Sequence, residues 1–454
     1  MGRIFGTDGV RGIANEKLDV ELALAISRAA GMIIKAEGVA RPKILVGRDT
    51  RLSGEMLQCA VAAGLSSVGC DVELLGVVPT PTVAYLVKRL GANGGVMITA
   101  SHNPFMYNGI KYFGGDGFKL TDAQEDRIER IILDGEEPIE FARTEHIGTV
   151  HVNYGAVEIY EEHIASAVKH DLSALRIAVD CANGASYRTA KKIFGAAGAN
   201  ATFINCEPDG TNVNKKCGSL FTQNLGEFVK KGGFDLGIAF DGDADRCLAC
   251  DEKGQELDGD KIIALLAMAM KDKGCLDGNT AVVTVMSNLG FVKYMESQGI
   301  NTEKTAVGDR YVLENMRENG YAIGGEQSGH VILLHHATTG DGELTAGKLL
   351  RLLAESGKKM SELNGIYAQY PQVLVNVVAN AAQKAAYKAD EVLAGFIENE
   401  EQKLMGMGRV LVRVSGTEPK IRVMVEGQDL EAIDCCAKRI VEKINKRILE
   451  GLEG

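Results

Sequence analysis

Proline is scarce in this 454-residue sequence, at 8 residues, and tryptophan is absent, while glycine reaches 54. Few prolines beside many glycines point to many tight loops rather than flexible linkers. Basic residues are not in excess: 50 Lys and Arg stand against 61 Asp and Glu, a formal charge of −11. That excludes a protein whose main task is gripping nucleic acid, yet leaves room for a local basic pocket for one phosphate. No apolar run reaches membrane-spanning length; the longest, Ile262 to Met270, is too short. The opening Met1-Gly-Arg-Ile-Phe-Gly has no apolar signal core, and Gly6 stands where myristoylation needs a small hydroxyl. Ten scattered cysteines lack the spacing of a disulfide scaffold, so a reduced, cytoplasmic protein is expected.

What is present is a globular α/β chain, 45% hydrophobic and 24% charged, enough to bury several cores. Lys43 to Gly47, Asp71 to Leu75 and Gly95 to Ala100 read as strands. Between them fall helices at Ser53 to Val68, with Ser53 as N-cap, and Thr82 to Leu90. That alternation predicts a parallel sheet covered by helices. It recurs twice. Strands at 176–180, 201–204 and 235–240 form one set. Strands at 281–285, 302–307 and 321–324, with helices near 290–298 and 311–319, form the other. The last part differs: strands at 373–378, 409–414 and 421–426 precede a long amphipathic helix over 430–449, the pattern of a small α+β domain with antiparallel pairing. The expected domains are 1–153, 154–252, 253–369 and 370–454. They make three βαβ-type domains with mixed, mainly parallel sheets, plus a smaller C-terminal α+β domain.

Ligands of open α/β sheets gather where strands end and loops begin. Three unusual loops follow the last strand of three successive units: Thr99-Ala-Ser-His-Asn-Pro104, Asp241-Gly-Asp-Ala-Asp-Arg246 and Gly325-Glu-Gln-Ser-Gly-His330. Asp241, Asp243 and Asp245 would share one face of extended chain, and three carboxylates so placed call for a cation, with Mg²⁺ favoured by hard oxygen ligands. An EF-hand is disfavoured although Glu252 sits at its twelfth position, because Arg246 replaces the obligatory glycine. Ser101 reads either as a helix N-cap or as a hydroxyl that carries a phosphoryl group. His102 is not expected to act as its base, since neighbouring side chains on extended chain point apart. Arg413-Val-Ser-Gly-Thr-Glu-Pro419 offers hydroxyls and backbone N–H groups to a tetrahedral anion, with Arg413 or Arg422 adding charge. Gly342-Glu-Leu-Thr-Ala-Gly-Lys348 imitates a P-loop but reads as helix, with Leu349 in place of Ser or Thr. Cys247 and Cys250 lie on a strand, their thiols on opposite faces, and form no zinc site. His335 and His336 have no partner spaced for metal binding.

Those four loops, in that order, resemble the α-D-phosphohexomutases along the whole chain. Phe5-Gly-Thr-Asp-Gly-Val-Arg-Gly12, Val307-Gly-Asp-Arg-Tyr-Val312 and Gln327 resemble the branch that acts on glucosamine phosphates. The resemblance implies four domains around a central cleft, and a phosphorylated Ser101 whose phosphate completes the Mg²⁺ shell of Asp241, Asp243 and Asp245. It implies interconversion of glucosamine 6-phosphate and glucosamine 1-phosphate, with glucosamine 1,6-bisphosphate or glucose 1,6-bisphosphate as activator, feeding UDP-N-acetylglucosamine synthesis. Lys111 is implied as the proton carrier, assisted by His330 and Arg11. Arg246, Asp309, Arg310, Glu326 and Ser328 are implied in substrate binding, and Arg413, Ser415, Gly416, Thr417 and Arg422 in gripping the non-reacting phosphate. Sugar phosphates are the expected partners, with neither nucleic acid nor membrane, and a homodimer is expected. The competing expectations are a mutase for mannose or glucose phosphates, a phosphatase, or a non-catalytic sugar-phosphate sensor.

Overall fold

The computed structural model describes residues 2–6, 8–36, 38–415 and 419–449. The chain divides into two compact units, one of residues 1–286 with 299–366, the other of 287–298 with 367–454.

The first unit holds three mixed sheets. The largest contains β1 (Phe5–Gly6), β2 (Gly9–Ile13), β3 (Lys43–Arg48), β4 (Asp71–Val77), β5 (Gly94–Ile98), β6 (Tyr107–Gly114) and β7 (Val150–Val152), in the order β1-β2-β6-β5-β3-β4-β7. Its β5, β3, β4 and β7 run parallel, as the alternation requires, while β6 returns antiparallel beside β5. The second contains β8 (Arg176–Asp180), β9 (Asn200–Ile204), β10 (Leu236–Phe240), β11 (Cys247–Asp251) and β12 (Glu256–Leu257). Here β9, β8 and β10 are parallel and β11 returns antiparallel on β10. The third contains β13 (Thr280–Thr284), β14 (Asn301–Thr305), β15 (Ile323–Gly325) and β16 (Val331–Leu333), with β16 returning on β15. The same device is therefore built three times: a parallel strand ends, a short loop turns, and an antiparallel strand comes back. The three loops singled out in sequence are those turns.

The centre of the large sheet, β3 and β5, is buried on both faces. Ile44, Val46, Val96 and Ile98 pack beneath the helices Val20–Ala36 and Gly54–Ser67, whereas Leu45, Met97 and Phe113 meet Val83 and Val87 of the Thr80–Arg89 helix. Strands covered on both sides need near-continuous apolar sequence, which is why β3 and β5 are legible as strands. Ser53 precedes the Gly54–Ser67 helix but does not cap it. Its backbone is already helical, at φ −74° and ψ −6°, and its hydroxyl instead accepts from Asn108 Nδ2 at 2.9 Å. The P-loop imitation is helical, within Gly342–Ser356, and Glu252 accepts from Ser361 rather than serving a calcium loop.

The second unit carries β17 (Gln372–Val378), β18 (Gly408–Val414) and β19 (Lys420–Gly427), in the antiparallel order β17-β19-β18. The helix Leu430–Ile444 lays Ile433, Cys436, Ala437, Ile440 and Ile444, a 3–4 spacing, onto Val423 and Val425. The helix Leu289–Ser297, which the alternation assigns to the third βαβ set, belongs to this unit. Asn288 ties it there: its Oδ1 accepts from Tyr370 N and its Nδ2 donates to Tyr370 O, both at 3.0 Å. Among the described residues no helix is long and apolar enough to cross a membrane.

Candidate active site

Ser101 lies in the β5–β6 turn, 1% exposed and at φ +51°, a left-handed conformation that a non-glycine residue holds only under constraint. Arg51 supplies the constraint. This fully buried guanidinium donates to Ser101 O and Asn103 O, both at 2.8 Å, to Pro104 O at 2.5 Å and to Tyr107 O at 3.0 Å. Its Nε is held by Asp49 at 2.7 Å, and Asp49 also receives the Thr99 hydroxyl, which in turn accepts from Ser101 N. Asn214 adds a second donor to Ser101 O at 2.8 Å. Ser101 is thus no helix cap; the stretch after it is a turn.

The Ser101 hydroxyl donates to Asp241 Oδ2 at 2.7 Å. Asp241, Asp243 and Asp245 each offer an oxygen, all within 4.8 Å of one another, and all three are buried. They converge through a turn with Ala244 at φ +55°, not through extended chain. The extended-chain argument likewise fails for His102: the left-handed Ser101 brings its Oγ to 3.3 Å from His102 Nδ1. Burial, with Arg246 and Arg11 nearby, pushes the His102 pKa down to about 4, so the ring is neutral near pH 7.

Two carboxylate oxygens, Asp243 Oδ1 and Asp245 Oδ1, are buried with no hydrogen-bond partner, although Thr80 Oγ1 donates to Asp243 Oδ2 at 2.6 Å. A buried, unpartnered carboxylate oxygen is costly, and two of them in a triad of buried carboxylates fit a hard divalent cation. Burial, with Asp245 and Asp243 beside it, pushes the Asp241 pKa well up. Burial also opposes the Asp245 charge, but Lys111 and His330 outweigh it and hold that carboxyl far below the usual range.

Lys111 projects from β6 into this cluster, 3.0 Å from Asp243 Oδ2, 3.3 Å from Asp245 Oδ2 and 3.1 Å from Asp8 Oδ2. Burial works against its charge, but these carboxylates raise its pKa well above that of a free lysine. Arg11 on β2 pairs in register with Gly109, two residues before Lys111, so both side chains leave the same face; Arg11 bonds Asp8. His330 ends the third loop, with Nδ1 3.6 Å from Asp245 Oδ2 and Nε2 3.6 Å from Asp309 Oδ2. Those carboxylates raise its pKa against burial. Gly340 N–H lies 3.1 Å from Nε2, an approach that requires glycine because a Cβ there would come 2.5 Å from the ring. Arg246 stays charged in its buried place beside Asp241, Asp245 and Glu326, and its Nε lies 3.9 Å from Asp245 Oδ1.

Ser101, the three aspartates, Lys111, Arg11, His330, Arg246 and Asp309 are therefore gathered in one connected cluster. Glu326 accepts from Gly308 N at 3.1 Å, and the Ser328 hydroxyl is buried without a partner. Arg310 is placed otherwise, tied to Asp122, to Glu125 at 2.9 Å and to Leu120 O at 3.3 Å. In the second unit Arg413 and Arg422 stand directly opposite on β18 and β19. Burial and Arg422 push the Arg413 pKa down, a pairing of like charges that an anion would relieve. Ser415 N–H donates to Lys420 O at 2.9 Å; Gly416 and Thr417 lie outside the described residues.

Sequence reasoning missed Asp8, Lys119, Thr80, Asn214 and Arg51. Lys119 bridges Asp8 and Asp309, at 2.5 Å from each. A signal existed for Arg51: Asp49-Thr-Arg51 directly follows the C-terminal end of a parallel strand.

Four domain families match the chain. The families described as phosphoglucomutase/phosphomannomutase alpha/beta/alpha domains I, II and III match residues 2–138, 158–254 and 258–370, and the C-terminal domain family matches 374–443. A curated phosphoglucosamine mutase of Acetivibrio thermocellus is 51% identical over 448 residues, covering 99% of this chain and all of that protein. One from Clostridium tetani is 50% identical over 447 residues, covering 98% of this chain and all of that protein. Among solved structures, a phosphoglucomutase/phosphomannomutase family protein of Burkholderia thailandensis superposes with a TM-score of 0.82 at 25% identity, covering 99% and 98% of the two chains. The N-acetylphosphoglucosamine mutase of Aspergillus fumigatus, solved with GlcNAc-6P and magnesium, shares the fold at a TM-score of 0.67 and 18% identity, covering 98% of this chain and 96% of that one.

Proposed function

The chain belongs to the phosphoglucosamine mutases of the phosphoglucomutase/phosphomannomutase family, and we propose from that premise that Ser101 is the group that carries the phosphoryl. The reaction is the interconversion of glucosamine 6-phosphate and glucosamine 1-phosphate, whose product serves UDP-N-acetylglucosamine synthesis. The observation that carries the assignment is the Ser101 hydroxyl, held in a constrained turn and 2.7 Å from a buried triad of carboxylates.

Phospho-Ser101 gives its phosphoryl group to the free hydroxyl of the sugar phosphate. The P–Oγ bond breaks, a P–O bond to the sugar forms, and the sugar hydroxyl loses its proton. The resulting 1,6-bisphosphate turns around and returns its other phosphoryl group to Ser101. Such transfer is mostly positioning and charge neutralisation. Asp241, Asp243 and Asp245 would hold Mg²⁺, which supplies Lewis-acid stabilisation of charge on the transferring group. Lys111 carries the proton between Ser101 Oγ and the sugar hydroxyl, assisted by His330 and Arg11. Arg246, Asp309 and Arg310 are assigned to the substrate, and Glu326 and Ser328 to its sugar hydroxyls. Arg413, Ser415, Gly416, Thr417 and Arg422 are assigned to the non-reacting phosphate. Either glucosamine or glucose 1,6-bisphosphate would phosphorylate Ser101 at the outset.

We place the enzyme in the cytoplasm, in keeping with ten cysteines that form no disulfide. Two copies are expected to pair, and the open edge of the large sheet, with Val150 and Val152 exposed on β7, is a surface suited to it.

The test is ³¹P NMR of the protein with Mg²⁺, a trace of glucose 1,6-bisphosphate and, separately, the 6-phosphates of glucosamine, glucose and mannose. Glucosamine 1-phosphate should form fastest, and Ser101→Ala should lower turnover by at least about 10³-fold. Faster turnover of glucose or mannose phosphate would overturn the substrate. Release of inorganic phosphate, or full activity in Ser101→Ala, would overturn the mechanism.

A further inference from the structure

A pocket of about 190 Å³ lies between the helices Gly259–Asp272 and Gly342–Ser356 and shares no residue with the Ser101 cluster. Each helix presents it one face. From the first come Leu266, Ala269 and Met270, with Lys273 just beyond the helix end; from the second come Lys348, Arg351, Leu352 and Glu355. Both sets follow the i, i+3, i+4, i+7 spacing of a single helical face. Leu266, Met270 and Leu352 make an apolar floor, and Lys273, Lys348 and Arg351 a charged rim. Lys348 is the lysine of the P-loop imitation, so the motif that fails as a phosphate cradle still delivers its cation to a pocket.

The rim has three basic side chains against one carboxylate, in a protein whose net charge is −11. Glu355 is shared by Lys273 at 2.8 Å and Arg351 at 2.6 Å. Lys348 has no carboxylate within 4.0 Å among the described residues; its ammonium donates only to the main-chain Ala167 O at 2.8 Å. Burial, with Arg351 and Lys273 beside it, lowers its pKa. His335 and His336 close the other side. His335 pairs with Asp277 at 2.9 Å, but burial and then Lys348 push the His336 pKa down to about 4. Positive potential is thus concentrated over an apolar floor, with too few anions to offset it.

We propose that this pocket binds a small organic anion, its acidic head on the Lys273, Lys348 and Arg351 rim and its compact apolar body between the two helices. An apolar cavity of about 150 Å³ takes one benzene ring. The pocket therefore suits a body of one ring or a short chain, with either a phosphate or a carboxylate as head.

The probes are phenyl phosphate, benzoate, inorganic phosphate and phenol, titrated into protein labelled with ¹³C-histidine while the His336 C2–H signal is followed. Phenyl phosphate or benzoate should move that signal and raise the His336 titration midpoint, binding at least about tenfold more tightly than phosphate or phenol alone. Lys348→Met and Arg351→Gln should each weaken binding by about tenfold or more while mutase turnover, the check on folding, stays at the wild-type level. A probe lodged at the reaction site instead would bind both variants as well as the wild type and leave His336 unmoved, which overturns the proposal. So would a His336 signal unmoved by either organic anion at about 10 mM, or inorganic phosphate binding as tightly as phenyl phosphate.

Discussion

Arg51 uses all five of its N–H donors: one on Asp49 and four on main-chain carbonyls of the turn that carries Ser101. A left-handed serine costs about 1–3 kcal/mol, and these bonds are what hold it. Lysine at this place would offer three donors from one point and leave carbonyls unpaired. In folded Arg51→Lys protein, kcat should fall by about 10–100-fold with a smaller change in KM, because the hydroxyl is misplaced rather than the sugar released. Steady-state kinetics at saturating bisphosphate, beside a melting curve, would read this. An unchanged kcat in a folded variant would show that Arg51 only stabilises the domain. The triad of aspartates stands out in sequence because a repeated carboxylate is a local signal, whereas Ser101 reads equally as a helix cap until the resemblance is drawn. Asp8 and Lys119 are not legible there, since their meaning comes from partners about 110 and 190 residues away.

The elements were legible to the degree that their burial comes from apolar packing. The parallel strands β3, β5, β10 and β13 are apolar runs covered on both faces. The return strand β6 is just as buried, yet it reads Tyr-Asn-Gly-Ile-Lys-Tyr-Phe-Gly, because Asn108 and Lys111 are buried by the site rather than by the core. No strand is predicted over β6, so the sequence gives Lys111 no element and does not say which strand makes the first sheet mixed. The helix Gly342–Ser356 shows a second kind of polar burial. Its N-cap Asp341 accepts from Leu344 N at 2.9 Å and from the Tyr160 hydroxyl at 3.0 Å. Burial pushes the Asp341 pKa from 3.8 up to about 6. Between those values the folded state keeps a proton that the unfolded state has lost, so on this group's account stability falls as pH rises through that window and stays lower above it. Tyr160→Phe removes a donor to the ionised form. The variant should lose about 2 kcal/mol at pH 8, where the bond is to a charge, and about half that at pH 4, where Asp341 is protonated. Urea unfolding at the two pH values measures the difference, and an equal loss at both would mean that Asp341 is not ionised in the folded protein.

At the scale of the molecule, two compact units raise the question of whether they unfold together. The helix Leu289–Ser297 sits between β13 and β14 in sequence but is packed within the second unit, where Phe291 meets Tyr367 edge-on at 6.3 Å and Lys293 Nζ donates to Gly406 O at 2.7 Å. Stability of the second unit should therefore depend on a segment that interrupts the first. Gly290 is the place to test this, since a Cβ there would come 2.4 Å from Ala368 O and 3.0 Å from Asn288 Oδ1. Alanine would favour the helix by up to about 1 kcal/mol. The closer clash, with Ala368 O, is with main chain that cannot swing aside, and overpacking of this kind costs about 1–3 kcal/mol, so the net effect is a loss. In Gly290→Ala, amide hydrogen exchange should quicken across β17, β18 and β19 by about tenfold, while β10 and β11, which flank the aspartate turn, keep their protection. Equal quickening in both sets would mean that the two units unfold as one body; no change in either would place the helix outside the cooperative core of the second unit.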